Sequence, residues 1–179
     1  MDQLTRYAIE YGADKWGKHN YTPFYFNLFK NRRDSVKKVL EIGTAEGASL
    51  FMWRDFFPNA IIYGLEIDRK RVDLFINEDR IDVHEGDQSN NNDLGELVHC
   101  IGSDIDLIVD DGSHKPEDQI FTFLQVFPLL KEVYPETVYV IEDVADPRIF
   151  GKIPEVYKPQ MIKFSKRYDD QIIVVKKHG

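Results

Sequence analysis

Two hydrophobic periods alternate along the chain. Short apolar runs bounded by Gly, Asp or Asn predict strands: "VKKVLEIG" (36–43), "AIIYGLEI" (60–67), "IDVHEG" (81–86), "IDLIVDD" (105–111) and "TVYVIEDV" (137–144). Between them lie segments of helical period. "ASLFMWRDFF" (48–57) carries Leu50, Trp53 and Phe57 on one face, "RKRVDLFIN" (69–77) is amphipathic, and "NNDLGELVHCI" (91–101) has Asn and Asp near its start. "PEDQIFTFLQVFPLLKEV" (116–133), opened by Pro116, is the longest expected helix, and Phe121, Phe123, Phe127 and Leu130 mark its core face. The first 35 residues read as helical pieces broken around "YGADKWGKHNYTP" (11–23), where Gly12, Gly17 and Pro23 interrupt. Near the other end, "QMIKFSKRY" (160–168) and "QIIVVKKH" (171–178) flank Asp169-Asp170 as a hairpin, while "ADPRIFGKIPEVYKP" (145–159) is too rich in Pro and Gly for a long helix.

Strands alternating with helices predict an α/β fold. The sheet is expected to be doubly wound and mostly parallel, with an antiparallel C-terminal strand. No repeat or linker divides the 179 residues, so one domain is expected over 1–179, with residues 1–35 a helical cover and 36–179 the core. In such sheets ligands bind at the carboxyl ends of the strands, which here are "EIGTAEG", "LEID", "VDDGSH" and "IEDV". All four carry acids.

Composition narrows the function classes. A net charge of −8 argues against nucleic acid as a general partner, which needs clustered Lys and Arg. Cys100 stands alone, so neither an intrachain disulfide nor a thiolate metal cluster is expected. No apolar run approaches the roughly 20 residues of a membrane span, and "MDQLTRYAIEYG" lacks the apolar core of a signal peptide, so a soluble, cytoplasmic protein without a membrane partner is expected.

At the first strand end, Gly43 and Gly47 let the backbone approach a ligand and aim a helix N-terminus at it, although a tight turn alone would also use them. The loop is not GxGxxG, and its acids Glu41 and Glu46 disfavour a pyrophosphate and suit a cationic or polar nucleoside ligand. Glu66 can accept both hydroxyls of a ribose, with Asp68 as a competitor that can instead cap the next helix. Asp87 is positioned for an adenine amino group or for an Asx turn.

Taken together, "VLEIGTAEG", "IIYGLEID", "GDQSN", "DLIVDDGSH" and "VYVIEDV" resemble the class I S-adenosylmethionine-dependent methyltransferases. Within them the chain is most similar to the metal-dependent sugar O-methyltransferases that modify deoxysugars of macrolides and related natural products. The upstream "GADKWGKHNYTPFYFNLF" is similar to the segment preceding the first strand in that group. The resemblance implies a Rossmann-like seven-stranded sheet and S-adenosyl-L-methionine as cofactor. It puts Glu41, Gly43, Thr44 and Gly47 along the methionine and ribose, Glu66 on the ribose, Asp87 near the adenine and Asp110 under the methionine end. It implies Mg²⁺ held by Asp111, Glu142 and Asp143, with His114 as general base, and Lys15, His19 and Tyr21 in the cover over the cofactor.

Elementary chemistry supports that implication. A sugar hydroxyl is a poor nucleophile at neutral pH, whereas a sulfonium methyl is a strong electrophile, so the protein must activate and align the oxygen. A hard cation on carboxylates lowers the hydroxyl pKa, and a nearby histidine takes the proton.

The chain departs from the resemblance in a short glycine loop, in having only residues 144–159 between Asp143 and the hairpin, and in lacking further N-terminal material. It therefore resembles a stripped catalytic core, with an acceptor site that is open or is completed by a second copy or a partner chain. Alternatives are a metal-dependent methyltransferase of a catechol-like acceptor, a cofactor-binding non-enzyme and, more weakly, a dinucleotide oxidoreductase.

Overall fold

Strands apolar on both faces, as a covered parallel sheet requires, form the centre of the molecule. The computed structural model describes residues 1–131, 136–164 and 167–178. In it β1 (Lys38–Ile42), β2 (Ile61–Glu66), β3 (Ile81–Glu85), β4 (Leu107–Asp110), β5 (Glu136–Ile141), β6 (Gln160–Lys163) and β7 (Gln171–His178) make one seven-stranded sheet, in the order β3-β2-β1-β4-β5-β7-β6. The first five strands pair in parallel, and β7 runs antiparallel to both β5 and β6. The expected fold class is the observed one. The expected hairpin is β6–β7, although Ser165 and Lys166 of its connection lie outside the described residues.

Side-chain parity divides the core in two. Val39, Leu107, Val109, Val138 and Val140 point to the face covered by α1 (Gln3–Tyr11), α2 (Thr22–Phe29) and α3 (Ala48–Phe56), where they meet Leu4, Tyr25, Phe29, Leu50 and Trp53. Leu40, Ile42, Ile108, Tyr139 and Ile141 point the other way, onto Leu94, Leu97 and Phe123.

The remaining helices are α4 (Arg69–Val72), α5 (Asn91–Ile101) and α6 (Pro116–Val126). Two are shorter than their periodicity predicts. Helix α4 passes into a 3₁₀ turn at Asp73–Phe75, because only Val72 and Phe75 of the segment are buried and so small an apolar face cannot hold a longer helix. Helix α6 stops at Val126 and is no longer than α5, because Pro128 cannot supply the next helical N–H and the chain tightens into a 3₁₀ turn at Phe127–Leu129. The last two residues of the expected helix, 132–133, lie outside the described residues. After β5 the Pro- and Gly-rich stretch makes only short 3₁₀ turns, Pro147–Lys152 and Glu155–Tyr157. No helix among the described residues is long and apolar enough to cross a membrane.

Candidate active site

Between β1 and β4 the strand order reverses, and an open parallel sheet leaves a crevice there at its carboxyl edge. A cavity of about 500 Å³ occupies that edge. Its walls are the loop after β1, the end of β2, Asp87 and Gln88 after β3, the turn after β4, and Gly12 to Asp14 from the connection between α1 and α2. A space of this size takes a cofactor-sized ligand.

The glycine loop brings backbone against backbone. Gly43 has φ +81°, and a Cβ on it would lie 2.5 Å from both the Asp111 carbonyl oxygen and the Gly112 Cα. Gly47, at φ +84°, is the N-cap of α3. At the end of β2, Glu66 steadies this loop: its Oε2 accepts from the N–H groups of Thr44 at 3.2 Å and Ala45 at 3.0 Å. Asp68 caps α4, accepting from the Lys70 N–H at 2.9 Å. Asp87 lines the cavity while its Oδ1 accepts from the N–H and the hydroxyl of Ser89, both at 2.8 Å; these bonds hold its carboxyl below the usual range.

Gly43, Thr44, Gly47, Glu66 and Asp87 thus line the cavity, and Glu41, Asp110, Lys15, His19 and Tyr21 do not. Asp110 is fully buried on the α5–α6 side of the sheet, where it accepts from Gln88 Nε2 at 3.1 Å and Tyr139 Oη at 3.5 Å; burial pushes its carboxyl up to about 7. The other four belong to an acid cluster beside the cavity.

Parity explains that cluster. Glu41 shares the face of Val39, and continuing the alternation past β4 and β5 puts Asp111 and Glu142 on the same face. Lys15, 1% exposed, reaches all three: Nζ donates to Asp111 Oδ2 at 2.8 Å and Glu142 Oε2 at 2.6 Å, and pairs with Glu41 Oε1 at 3.0 Å. Burial pulls the ammonium down, but the carboxylates of Asp111, Glu142 and Glu41 outweigh it and hold Lys15 charged. Burial likewise opposes ionisation of Asp111, yet Lys15 and His114 keep it well below the usual carboxylate range. For Glu142 burial dominates and the carboxyl is pushed up, even though the Tyr25 hydroxyl donates to Oε1 at 2.6 Å. Tyr21 donates to Asp143 Oδ1 at 2.8 Å, and His19 stands 3.1 Å from Asp170 Oδ1 and 3.4 Å from Asp143 Oδ2.

On the cavity side, Asp111, His114 and Asp143 bring their ligand atoms within 4.8 Å of one another. His114 Nε2 lies 3.0 Å from Asp111 Oδ1, and Nδ1 lies 3.8 Å from Asp143 Oδ2. His114 (φ +57°) and Asp143 (φ +49°) are both left-handed, a strained backbone held where the two side chains converge. The Asp111 hydrogen bond, working against burial, pushes His114 up to about 9. Two carboxylates and an imidazole suit a divalent cation. Glu142 stands outside this set, its oxygens turned to Lys15 and Tyr25.

Sequence reasoning passed over Tyr25, Gln88 and Asp170. Gln88 sits inside the "GDQSN" motif and fixes the turn after β4, accepting from the Ser113 N–H at 2.6 Å. Asp170 looks like a turn residue beside Asp169, but it is 1% exposed and faces His19. Tyr25 carries no local signal beyond its aromatic helix.

No family model matches the chain. Among solved structures, MycE methyltransferase from the mycinamycin biosynthetic pathway, in complex with Mg, SAH and mycinamycin VI, covers 99% of this chain with a TM-score of 0.79 and 27% identity. The fold is that of the class I methyltransferases. The chain covers 55% of the MycE chain. An O-methyltransferase from Bacillus cereus shares the fold at a TM-score of 0.61 and 20% identity.

Sequence relatives agree with the resemblance to sugar O-methyltransferases. The 8-demethyl-8-alpha-L-rhamnosyl tetracenomycin-C 2'-O-methyltransferase of Streptomyces olivaceus is 37% identical over 149 residues, 79% of this chain and 37% of that protein. The demethylmacrocin O-methyltransferase of Streptomyces fradiae is 38% identical over 149 residues, 79% of this chain and 36% of that protein. The chain therefore spans just over a third of the length of the curated relatives it matches.

Proposed function

We propose that the chain is an S-adenosylmethionine-dependent O-methyltransferase acting on a hydroxyl of a sugar-containing acceptor. The observation that carries this reading is the meeting, at one sheet edge, of the glycine-floored cavity bearing Glu66 with the Asp111–His114–Asp143 set. The cavity supports the cofactor: Glu66 accepts the ribose hydroxyls, Asp87 the adenine amino group, and the loop amides steady the amino-acid end.

The donor chemistry fits Mg²⁺, with Asp111 and Asp143 as ligands and Glu142 the third acid of the cluster. When bound, such a cation lowers the pKa of the acceptor hydroxyl and orients neighbouring sugar oxygens. His114 is the proton acceptor. Its hydrogen bond to Asp111 keeps it protonated at neutral pH, so it works as a base only once Asp111 is neutralised by another partner. An acceptor side that is open, or is completed by a second copy or a partner chain, fits this reading, and a cytoplasmic setting suits the lone, exposed Cys100.

The test is binding of S-adenosylhomocysteine (SAH) and of NAD by calorimetry, with and without Mg²⁺, followed by methyl transfer to a rhamnosylated acceptor. SAH is expected to bind and NAD is not; failure to bind SAH overturns the proposal. His114→Ala is expected to lower kcat by about 100-fold or more, the ordinary contribution of a general base, and EDTA to abolish turnover. Retention of most activity by His114→Ala points instead to an acidic, catechol-like acceptor.

A further inference from the structure

One ammonium neutralises the buried side of the acid cluster. Glu41 leaves β1, Asp111 follows β4 and Glu142 follows β5, and one oxygen of each lies 2.6 to 3.0 Å from Lys15 Nζ. An ammonium has three donors, and here three carboxylates surround it. Glu41 and Glu142 are buried, and the oxygens of Glu41 make no hydrogen bond of ordinary geometry among the described residues. Lys15 is the strongest influence favouring ionisation of Glu41 against its burial. The lysine is itself fixed in place, since its carbonyl accepts from the Tyr21 N–H at 3.0 Å and the residues just before it line the cavity. Asp111 belongs to both halves of the cluster: Oδ2 faces Lys15 and Oδ1 faces His114.

We propose that Lys15 is a positioning residue acting as a built-in cation. It fills the inner half of a two-cation carboxylate cluster, so that only the outer half, the Asp111 and Asp143 carboxylates beside His114, is left to take a divalent ion. This rests on the metal-binding part of the proposed function and goes beyond it by setting the number of ions. Without the ammonium, three carboxylates converge on one buried point and repel one another. A hard cation such as Mg²⁺, with oxygen ligands at about 2.0–2.1 Å, is received there after a small contraction of the side chains.

The experiment counts bound Mn²⁺ by electron paramagnetic resonance in the wild-type chain and in Lys15→Met. Lys15→Met is expected to bind one ion more than the wild type. Adding Glu41→Gln to Lys15→Met is expected to weaken that extra ion by about tenfold or more, a change that a merely structural lysine would not produce. Equal counts in wild type and Lys15→Met overturn the inference. A wild type that binds no ion beside a Lys15→Met that binds one sustains the inner site while removing the metal from the proposed function. Should Lys15→Met be unfolded in chelator, Mn²⁺ is expected to restore its cooperative melting, and a variant that stays unfolded with the ion overturns the proposal.

Discussion

Gly43 shows how closely the site is built at the level of single residues. Its φ of +81° and its approach to the Asp111 carbonyl leave no space for a methyl group. Gly43→Ala is therefore expected to lose about 1–3 kcal/mol of stability, seen as a lower Tm in scanning calorimetry; an unchanged Tm would show that the two loops are not packed backbone to backbone. Glu66 was legible from its place at the end of a second strand, and its bonds to Thr44 and Ala45 give it a second task, that of holding the loop. Glu66→Gln is expected to weaken SAH binding by about tenfold in calorimetry, the cost of losing charge-assisted acceptance at one ribose contact.

At the scale of elements, α5 was readable to both ends. The Asn90 side chain accepts from the Asn92 N–H at its start, and Gly102 closes it in a positive-φ conformation. Gly95 lies within this helix with nothing within 4 Å of a Cβ placed on it. Gly95→Ala is expected to stabilise the protein by about 0.5–1 kcal/mol, measured as an increase in urea midpoint at constant slope. The ends of α4 and α6 were not readable, because there the apolar face available for burial and a proline inside the period override propensity. Helix α2 carries a further demand, since Tyr25 brings its hydroxyl through the apolar layer to Glu142. Tyr25→Phe leaves that buried oxygen short of a donor and is expected to cost about 1–3 kcal/mol in chemical denaturation.

For the whole molecule, two apolar layers hold a sheet whose carboxyl edge concentrates Glu41, Glu66, Asp111, Glu142 and Asp143. A native state with that charge distribution is expected to gain stability from its ligands. SAH at about 100 times its Kd raises unfolding free energy by about 2.7 kcal/mol by mass action. Mg²⁺ is expected to raise Tm further in the wild type and not in Asp143→Asn, while the increase caused by SAH persists in that variant. Loss of both increases would mean that Asp143 supports the fold and not a cation site.

Sequence alone determined the features that local periods dictate: the succession of strands and helices along the chain, the strand ends that carry acids, and the glycine turn facing a helix N-terminus. Period-two alternation puts neighbours such as Asp110 and Asp111 on opposite faces, but that Glu41, Asp111 and Glu142 share one face follows from how β1, β4 and β5 pair. Only the tertiary structure decided what neutralises those acids. Lys15 meets Asp111 and Glu142 across 96 and 127 residues of sequence, and Tyr25 meets Glu142 across 117. Those contacts depend on how α1 and α2 dock on the sheet, a packing outcome to which no local pattern is tied. The same docking separated the residues that the resemblance groups around the cofactor. Glu66 and Asp87 face the cavity, whereas Lys15, His19 and Tyr21 lie among the carboxylates, where burial makes an opposite charge or a donor indispensable.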